Sequence, residues 1–289
     1  MLKISGRQRG ITCILAAAFC FSLMGMFVHL AGDIPFIEKT FFRNIVAFSV
    51  SFVILVKSGE KVSLPKGSLK FLFFRAIAGT VGIFGNFYAV DHLFLSDAAM
   101  LNKMAPFFAI LFSFFLLKEK IRPFQIIALV GAFAGAMLVA KPAFDFSKSL
   151  PAAAGFLGGM GAGFAYSCVR KLGNMKMNGK FIIVFFSAFS CLAAVPYMFY
   201  NFVPMTEMQL VALLLSGAAA AGGQFSVTAA YFAAPAKEIS IYDYSQILFS
   251  ALLGFVVFGQ VPDILSIAGC LLIIAMALFM FIRGKNEHN

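Results

Sequence analysis

Tryptophan is absent from this sequence and charge is scarce: 12% of its 289 residues are Asp, Glu, Lys or Arg. A soluble domain carries about twice that share. With 61% hydrophobic residues and a mean hydropathy of +0.93, the deficit excludes a fold that hides its apolar surface from water, so lipid must be the solvent. The missing tryptophans remove the usual interfacial anchors, and 38 phenylalanines supply lipid-facing and packing bulk instead. No CxxC and no Cys/His pairing occurs. Cys13, Cys20, Cys168, Cys191 and Cys270 all lie inside apolar runs and read as small buried residues. No small-residue cleavage site follows the first apolar run, so a cleaved signal peptide is not expected. The chain also lacks a nucleophile–base set, a metal spacing, a P-loop and a dinucleotide fingerprint. An enzyme, a resident cofactor and a self-contained phosphate-driven pump are therefore not expected.

What is present is a series of long apolar runs. A spanning helix needs about 20 such residues, and ten stretches qualify: 10–31, 36–56, 69–90, 97–117, 123–141, 151–170, 181–203, 208–232, 239–259 and 262–283. They are continuous rather than alternating, and about twice the length of a barrel strand. Turn chemistry marks the joints, as in Gly32-Asp33-Ile34-Pro35, Arg122-Pro123, Lys141-Pro142 and Val261-Pro262.

Sliding the chain by 141 residues brings Asn102 onto Asp243, Leu111 onto Leu252, Glu119 onto Gln260 and Gly82 onto Gly223. That register predicts a duplication, with repeats over 1–145 and 146–289. Five spans per repeat is an odd number, so the second copy is inverted. Placing the N-terminus in the cytoplasm puts seventeen Lys and Arg on the inside, against Lys141 and Lys148 outside. This positive-inside bias places both termini in the cytoplasm of a plasma-membrane protein. It also accounts for the net charge of +11 without nucleic acid. The predicted fold class is an all-α integral membrane protein of ten transmembrane helices in two inverted five-helix repeats.

The stretch SDAAMLNKMAPFFAILFSFFLLKEKI, ending at Ile121, and YDYSQILFSALLGFVVFGQVPD, ending at Asp263, resemble the EamA-type branch of the drug/metabolite transporter superfamily. Arg43, Tyr88-Ala89, Pro106, Glu119, Gly259 and Pro262 support the resemblance. The second repeat departs from the family pattern at Gln260, where Glu is usual, and at Ile247, where Pro is common. The resemblance implies movement of small metabolites such as amino acids and their derivatives, nucleotide-linked compounds, amines and toxic organics.

Charges inside a bilayer usually face the protein interior or each other. Those here are Glu38, Lys39, Arg43, Arg75, Lys103 and Asp243. Glu38 and Lys39 are expected to snorkel to the outer surface, and Arg43 to tie carbonyls or a carboxylate. Lys103 lies about 9 Å below the outer mouth at 1.5 Å per residue. Asp243 lies four residues in from the opposite side. A direct Lys103–Asp243 bridge is therefore not expected, and Arg75 is the better-matched partner for Asp243. Asp243, Arg75, Lys103 and Arg43 are the coupling or ion-pair candidates.

Polar stripes at helical spacing on spans 3, 4, 8 and 9 predict a shared cavity. Its substrate-binding candidates are Asn86, Asn102, Lys103, Gln224, Thr228, Tyr242, Asp243, Tyr244 and Gln246. Spans 5, 7 and 10 carry almost no polar face and are expected against lipid. Pro106 and Pro196 should kink their spans, with Pro106 a gating candidate. Small residues such as Gly155, Gly159 and Gly163 are expected to pack helices closely and to supply moving parts. Glu119 should pair with its flanking lysines or cap span 5, and His29 should sit at the interface.

The function this predicts is secondary active transport of a small polar metabolite, an amino acid or derivative or a related zwitterion or organic cation. The two halves would rock about the central site, driven by a proton or substrate gradient. Expected partners are the substrate, protons and membrane lipids, with the chain a monomer or homodimer. A lipid-translocating or signalling membrane protein without solute turnover is the alternative from another class.

Overall fold

The computed structural model describes residues 5–93, 95–140 and 149–286. The joint at Lys141-Pro142, Asp145, Lys148 and the boundary between the predicted repeats lie outside those residues. Ten helical segments are long and apolar enough to cross a membrane: Gly6–Leu30, Phe36–Ser58, Ser68–Val90, Ala98–Leu117, Pro123–Ala140, Ser149–Asn174, Gly179–Asn201, Glu207–Ala233, Ala236–Phe258 and Ile264–Arg283. They are spans 1 to 10 below. Among the described residues there are no strands.

Local chemistry sets the helix ends. Ser5 with Gln8 and Thr206 with Gln209 form capping boxes at the starts of spans 1 and 8. The Asn178 side chain accepts from the backbone N–H groups of Lys180 and Phe181 at the start of span 7. Spans 4 and 9 end on left-handed residues, Lys118 at φ 57° and Gly259 at φ 65°, which the 141-residue shift superimposes. Arg7 donates to the carbonyls of Met280 and Phe281, both at 3.0 Å. Both chain ends therefore lie on one face. That face also carries Lys57, Lys118, Lys120, Lys176 and Lys180, and is called the basic face here.

The closest packing runs between the predicted repeats. Span 3 lies along span 6 and span 1 along span 8; span 4 joins span 6, and span 9 joins span 1. Spans 2 and 7 pair with each other, as do spans 5 and 10. Renumbering each span by five maps every one of these pairings onto another or onto itself. The helices thus form two related bundles, 3–4–6 and 1–8–9, bridged by the 2–7 and 5–10 pairs.

Glycine explains how close these helices come. A Cβ on Gly82 would stand 3.2 Å from the Gly158 carbonyl oxygen on span 6, and one on Gly85 would collide with the Ala154 carbonyl. On another ridge of span 6, a Cβ on Gly163 would be 2.7 Å from both the Ala105 oxygen and the Ala109 nitrogen of span 4. Gly10 and Gly223 do the same for span 1 on span 8, against Ala234 and Phe21. These seams lie inside the two bundles and bear out the close helix packing expected of the small residues.

Two expectations are corrected. Span 7 is 44% buried, as much as span 3, whereas span 10 is 17% buried; its Ser190 hydrogen-bonds Thr80 at 2.6 Å. Apolar composition hid this, because helix packing in lipid needs few polar groups. Glu38 does not snorkel. It is fully buried and accepts the Val203 N–H at 2.9 Å, satisfying a donor at the end of span 7 that lipid cannot.

Gly163→Val should overpack the seam between spans 4 and 6, at a cost of about 1–3 kcal/mol. Gly25→Ala meets open space, with nothing within 4 Å. Thermal unfolding of the purified variants should show a clear loss for the first and none for the second; equal losses would discount the seam.

Candidate functional site

Spans 4 and 9 are interrupted helices, and their interruptions meet. Span 4 consists of a helix over Leu95–Asn102 and another over Ala105–Leu117. Pro106 has no N–H and sits in the first turn of the second helix. At the join, Met104 bonds back to Leu101 at 3.2 Å, one residue short of the α register. Pro106 therefore starts the inner half of span 4; Pro196, by contrast, lies inside a helix continuous over Gly179–Asn201. Span 9 opens with a four-residue helix, Ala236–Ile239, continues as a 3-10 helix over Ser240–Tyr244, and becomes α-helical at Ser245.

These breaks bring together two side chains that linear depth kept apart. Lys103 Nζ lies 3.4 Å from Asp243 Oδ2, donates to the Asp243 carbonyl at 3.4 Å and to Gln246 Oε1 at 2.6 Å. Tyr244 returns the contact, its hydroxyl donating to the Lys103 carbonyl at 2.9 Å. The expectation that no such bridge forms is overturned. Span 9 begins three residues earlier than the sequence suggested, and a 3-10 helix rises about 2.0 Å per residue rather than 1.5. Both effects carry Asp243 further from the basic face along the bundle, where a lysine stem can reach it. The expected Arg75–Asp243 pair is likewise absent: Arg75 Nη2 donates to Gln224 Oε1 at 3.0 Å.

A cavity of about 110 Å³ opens beside this crossing. Asn86, Asn102, Lys103, Gln224, Asp243 and Gln246 line it, as do the ion-pair candidates Arg43 and Arg75. Eight spans contribute to the wall, all but spans 5 and 10. Thr228, Tyr242 and Tyr244 stand elsewhere. Thr228 is one turn beyond Gln224 towards the basic face, in a separate groove with Glu60 and Asn178. Tyr242 is buried on the same side as Arg7. Tyr244 is fully buried and acts on the Lys103 backbone. In a 3-10 helix successive side chains point about 120° apart, so Asp243 alone of the three consecutive residues Tyr242, Asp243 and Tyr244 faces the cavity. Arg43 meets neither of its expected partners, since its Nε donates to Met24 Sδ at 3.0 Å and its Nη1 to Asn44 Oδ1 at 3.2 Å. Sequence reasoning missed Phe186 of span 7, which lies under the Arg75 guanidinium at 3.9 Å. One phenylalanine among 38 carries no signal of its own.

Towards the basic face the cavity floor is shut. Tyr166 stacks on Tyr231 with ring centres 5.1 Å apart, and the Tyr231 hydroxyl meets Ser240 at 3.2 Å. Below them Arg170 donates to the carbonyls of Tyr231 and Phe232 at 3.2 and 3.0 Å, and pairs with Glu119 at 3.4 Å. Glu119 was expected to act on its flanking lysines. The left-handed Lys118 turns the chain so that it reaches span 6 instead. Burial pushes the Glu119 carboxyl above the usual carboxylate range, and Arg170 opposes that shift. On the opposite face the equivalent of Arg170 is His29. It is exposed and lies edge-on to Phe258, within its own bundle, at 5.0 Å. Its counterpart Gln260 folds back onto the carbonyl of Gly254 through its backbone. The latch closes one face only.

Among the described residues no group of His, Cys, Asp and Glu is arranged to hold a metal ion.

The chain resembles several transport proteins. It is 31% identical over 273 residues to the pseudopaline exporter CntI of Pseudomonas aeruginosa, covering 94% of this chain and 95% of that one. It is 26% identical over 279 residues to an uncharacterized transporter of Helicobacter pylori, covering 94% of each. Human solute carrier family 35 member G1 matches at 26% over 288 residues, covering 95% of this chain and 79% of the human one. A crystal structure sharing 17% identity superposes with a TM-score of 0.82 over 97% of this chain and 99% of that one, a likeness of fold alone. Residues 8–141 match the EamA-like transporter family. Ten apolar spans, paired helix breaks and a relative of 31% identity along nearly its whole length lead to one assignment: the chain belongs to the EamA-like transporter family, and it is a multi-pass membrane transporter rather than an enzyme.

Proposed function

We propose that this transporter is a secondary active carrier for a small zwitterion, an amino acid or an amino-acid derivative. It moves that substrate across the plasma membrane by alternating access, with both termini in the cytoplasm. The observation that carries the reading is the Lys103–Asp243 pair at 3.4 Å in the cavity wall. A buried ion pair adds little net stability, because desolvating two charges offsets their attraction. What it does is set a basic and an acidic side chain next to each other in the cavity wall. A zwitterion can replace each partner with its own opposite pole. Its carboxylate would lie on Lys103 and Asn102, its ammonium on Asp243 and Gln246. An acyl chain suits a wall with four charged side chains poorly, which argues against lipid translocation.

The packing supports a particular motion. Residues 1–145 and 146–289 are the proposed units of duplication, but the bodies that rock are the bundles 3–4–6 and 1–8–9. Within each bundle glycine seams bring the helices close; between them a shared apolar core, with Val169 and Leu172 of span 6 and Val227 of span 8, is accompanied by a set of polar and ring contacts. Lys103–Asp243, Tyr244–Lys103, Arg170 on the end of span 8 and the Tyr166–Tyr231 stack are such contacts. Breaking the last two opens the basic face. Closing the other face brings His29 towards the end of span 3, the symmetric move. Pro106 lies beside the hinge of span 4. Export is the direction supported by the name of the Pseudomonas relative, and a proton or counter-substrate gradient supplies the drive.

Asp243→Asn should reduce counterflow of labelled amino acids in proteoliposomes at least tenfold while the protein remains folded. Unchanged flux would rule out the acidic pole. A second expectation concerns the latch. Because the folded Glu119 carboxyl titrates above its ordinary range, its pairing with Arg170 exists above that raised pKa and is lost as pH falls through it. In a cysteine-free background carrying Ser240→Cys, a thiol reagent applied from the basic face should label this buried position faster at lower pH. Glu119→Gln should reproduce that rate at neutral pH. Labelling that ignores both changes would remove the latch from the mechanism.

A further inference from the structure

The charges lining the cavity do not balance. Among the described residues the wall holds three cations, Arg43, Arg75 and Lys103, and one carboxylate, Asp243. Lys103 takes the carboxylate. Both arginines are then left with neutral acceptors. Arg75 is 2% exposed; Gln224 satisfies one of its donors, and its Nε and Nη1 groups are buried without an acceptor. Arg43 is 4% exposed and holds a thioether sulfur and an amide oxygen. A thioether is a weak acceptor, and a buried guanidinium without a counter-charge is among the least favourable arrangements in a protein. Helix-to-helix ties do not need it, since glutamine or methionine would pack as well without the charge.

Fixed orientation points the same way. Phe186 lies flat under Arg75 at 3.9 Å, and Gln224 holds one end of its fork. A planar guanidinium held on an aromatic face is pre-organised for two parallel hydrogen bonds to a carboxylate. Arg43 of span 2, Arg75 of span 3 and Lys103 of span 4 all line the same cavity, so a ligand that answers all three cations beside the one carboxylate carries more than one negative charge.

We infer that the substrate is a small acidic zwitterion with net negative charge and at least two carboxylates, one for Lys103 and the others for the Arg43 and Arg75 guanidinium groups. This deepens the transport reading above and rests on it. It narrows the substrate class from zwitterions in general to polyacidic ones, and it excludes organic cations.

The test uses the full chain in nanodiscs at constant ionic strength. Thermal unfolding is followed with glutamate and aspartate, which carry two carboxylates and an ammonium, and with citrate, alanine and putrescine, against chloride. Glutamate or aspartate, and citrate, should raise Tm by roughly 5 °C or more at about a hundredfold excess over Kd, and putrescine should not. Arg43→Gln and Arg75→Gln should each weaken citrate at least tenfold. Because either variant could fold poorly, Gln224→Glu provides a reciprocal measurement. It gives Arg75 an internal carboxylate, so the ligand-free Tm should rise and citrate should add less. Stabilisation by alanine or putrescine but not by the polyacids overturns the inference. So does a Gln224→Glu variant that is less stable and still responds fully to citrate. Counterflow of labelled alanine, measured alongside, decides the transport reading separately: flux of alanine without polyacid binding leaves that reading standing and removes only the charge assignment.

Discussion

Hydrocarbon supplies no hydrogen bonds, so a helix that breaks inside a membrane must find partners for its freed backbone groups within the protein. Spans 4 and 9 break at positions that the 141-residue shift nearly superimposes, and each break satisfies the other. The ammonium of Lys103 reaches the carbonyl of Asp243, and the hydroxyl of Tyr244 reaches the carbonyl of Lys103. The 141-residue shift carries Lys103 onto Tyr244, so side chains at matched positions each reach a carbonyl of the other span. Moving either break by a turn would leave carbonyls facing lipid and separate the ion pair.

The scaffold is nearly symmetric, yet its gates are not. Arg170 and Glu119 pair at 3.4 Å, whereas their counterparts under the 141-residue shift, His29 and Gln260, are exposed and make their contacts with Phe258 and Gly254 inside their own bundle. Gln260 stands where the family pattern usually has Glu.

Much of this was legible in the sequence, for physical reasons. Ten runs of about 20 apolar residues leave little choice of solvent or element type, and the polar stripes named six of the cavity residues. Depth was not legible. Counting 1.5 Å per residue assumes unbroken helices, and Ser240–Tyr244 is 3-10, so Asp243 was placed too shallow and paired with Arg75 instead of Lys103. The stripe on span 9 was also too wide: Tyr242 and Tyr244 flank Asp243 in sequence but point away from the cavity. Nor could hydropathy reveal that apolar span 7 contributes Phe186 to the site, or that Glu38 would be buried to hold the end of its neighbour. Each miss concerns where a side chain points once the backbone departs from a straight α-helix.

The proposed units of duplication and the close-packed bundles do not coincide: span 6 packs on spans 3 and 4, and span 1 on spans 8 and 9. Glycine is what makes the packing tight, because backbone can meet backbone at Gly82, Gly85 and Gly163. A transporter built of two loosely joined halves would have to hold its site together through loops. Spans 3, 4 and 6 and spans 1, 8 and 9 instead hold the two helix breaks against each other through their own packing. The hydrogen bonds, ring stack and ion pairs across the bundle boundary are separate from the glycine seams, which lie within the bundles.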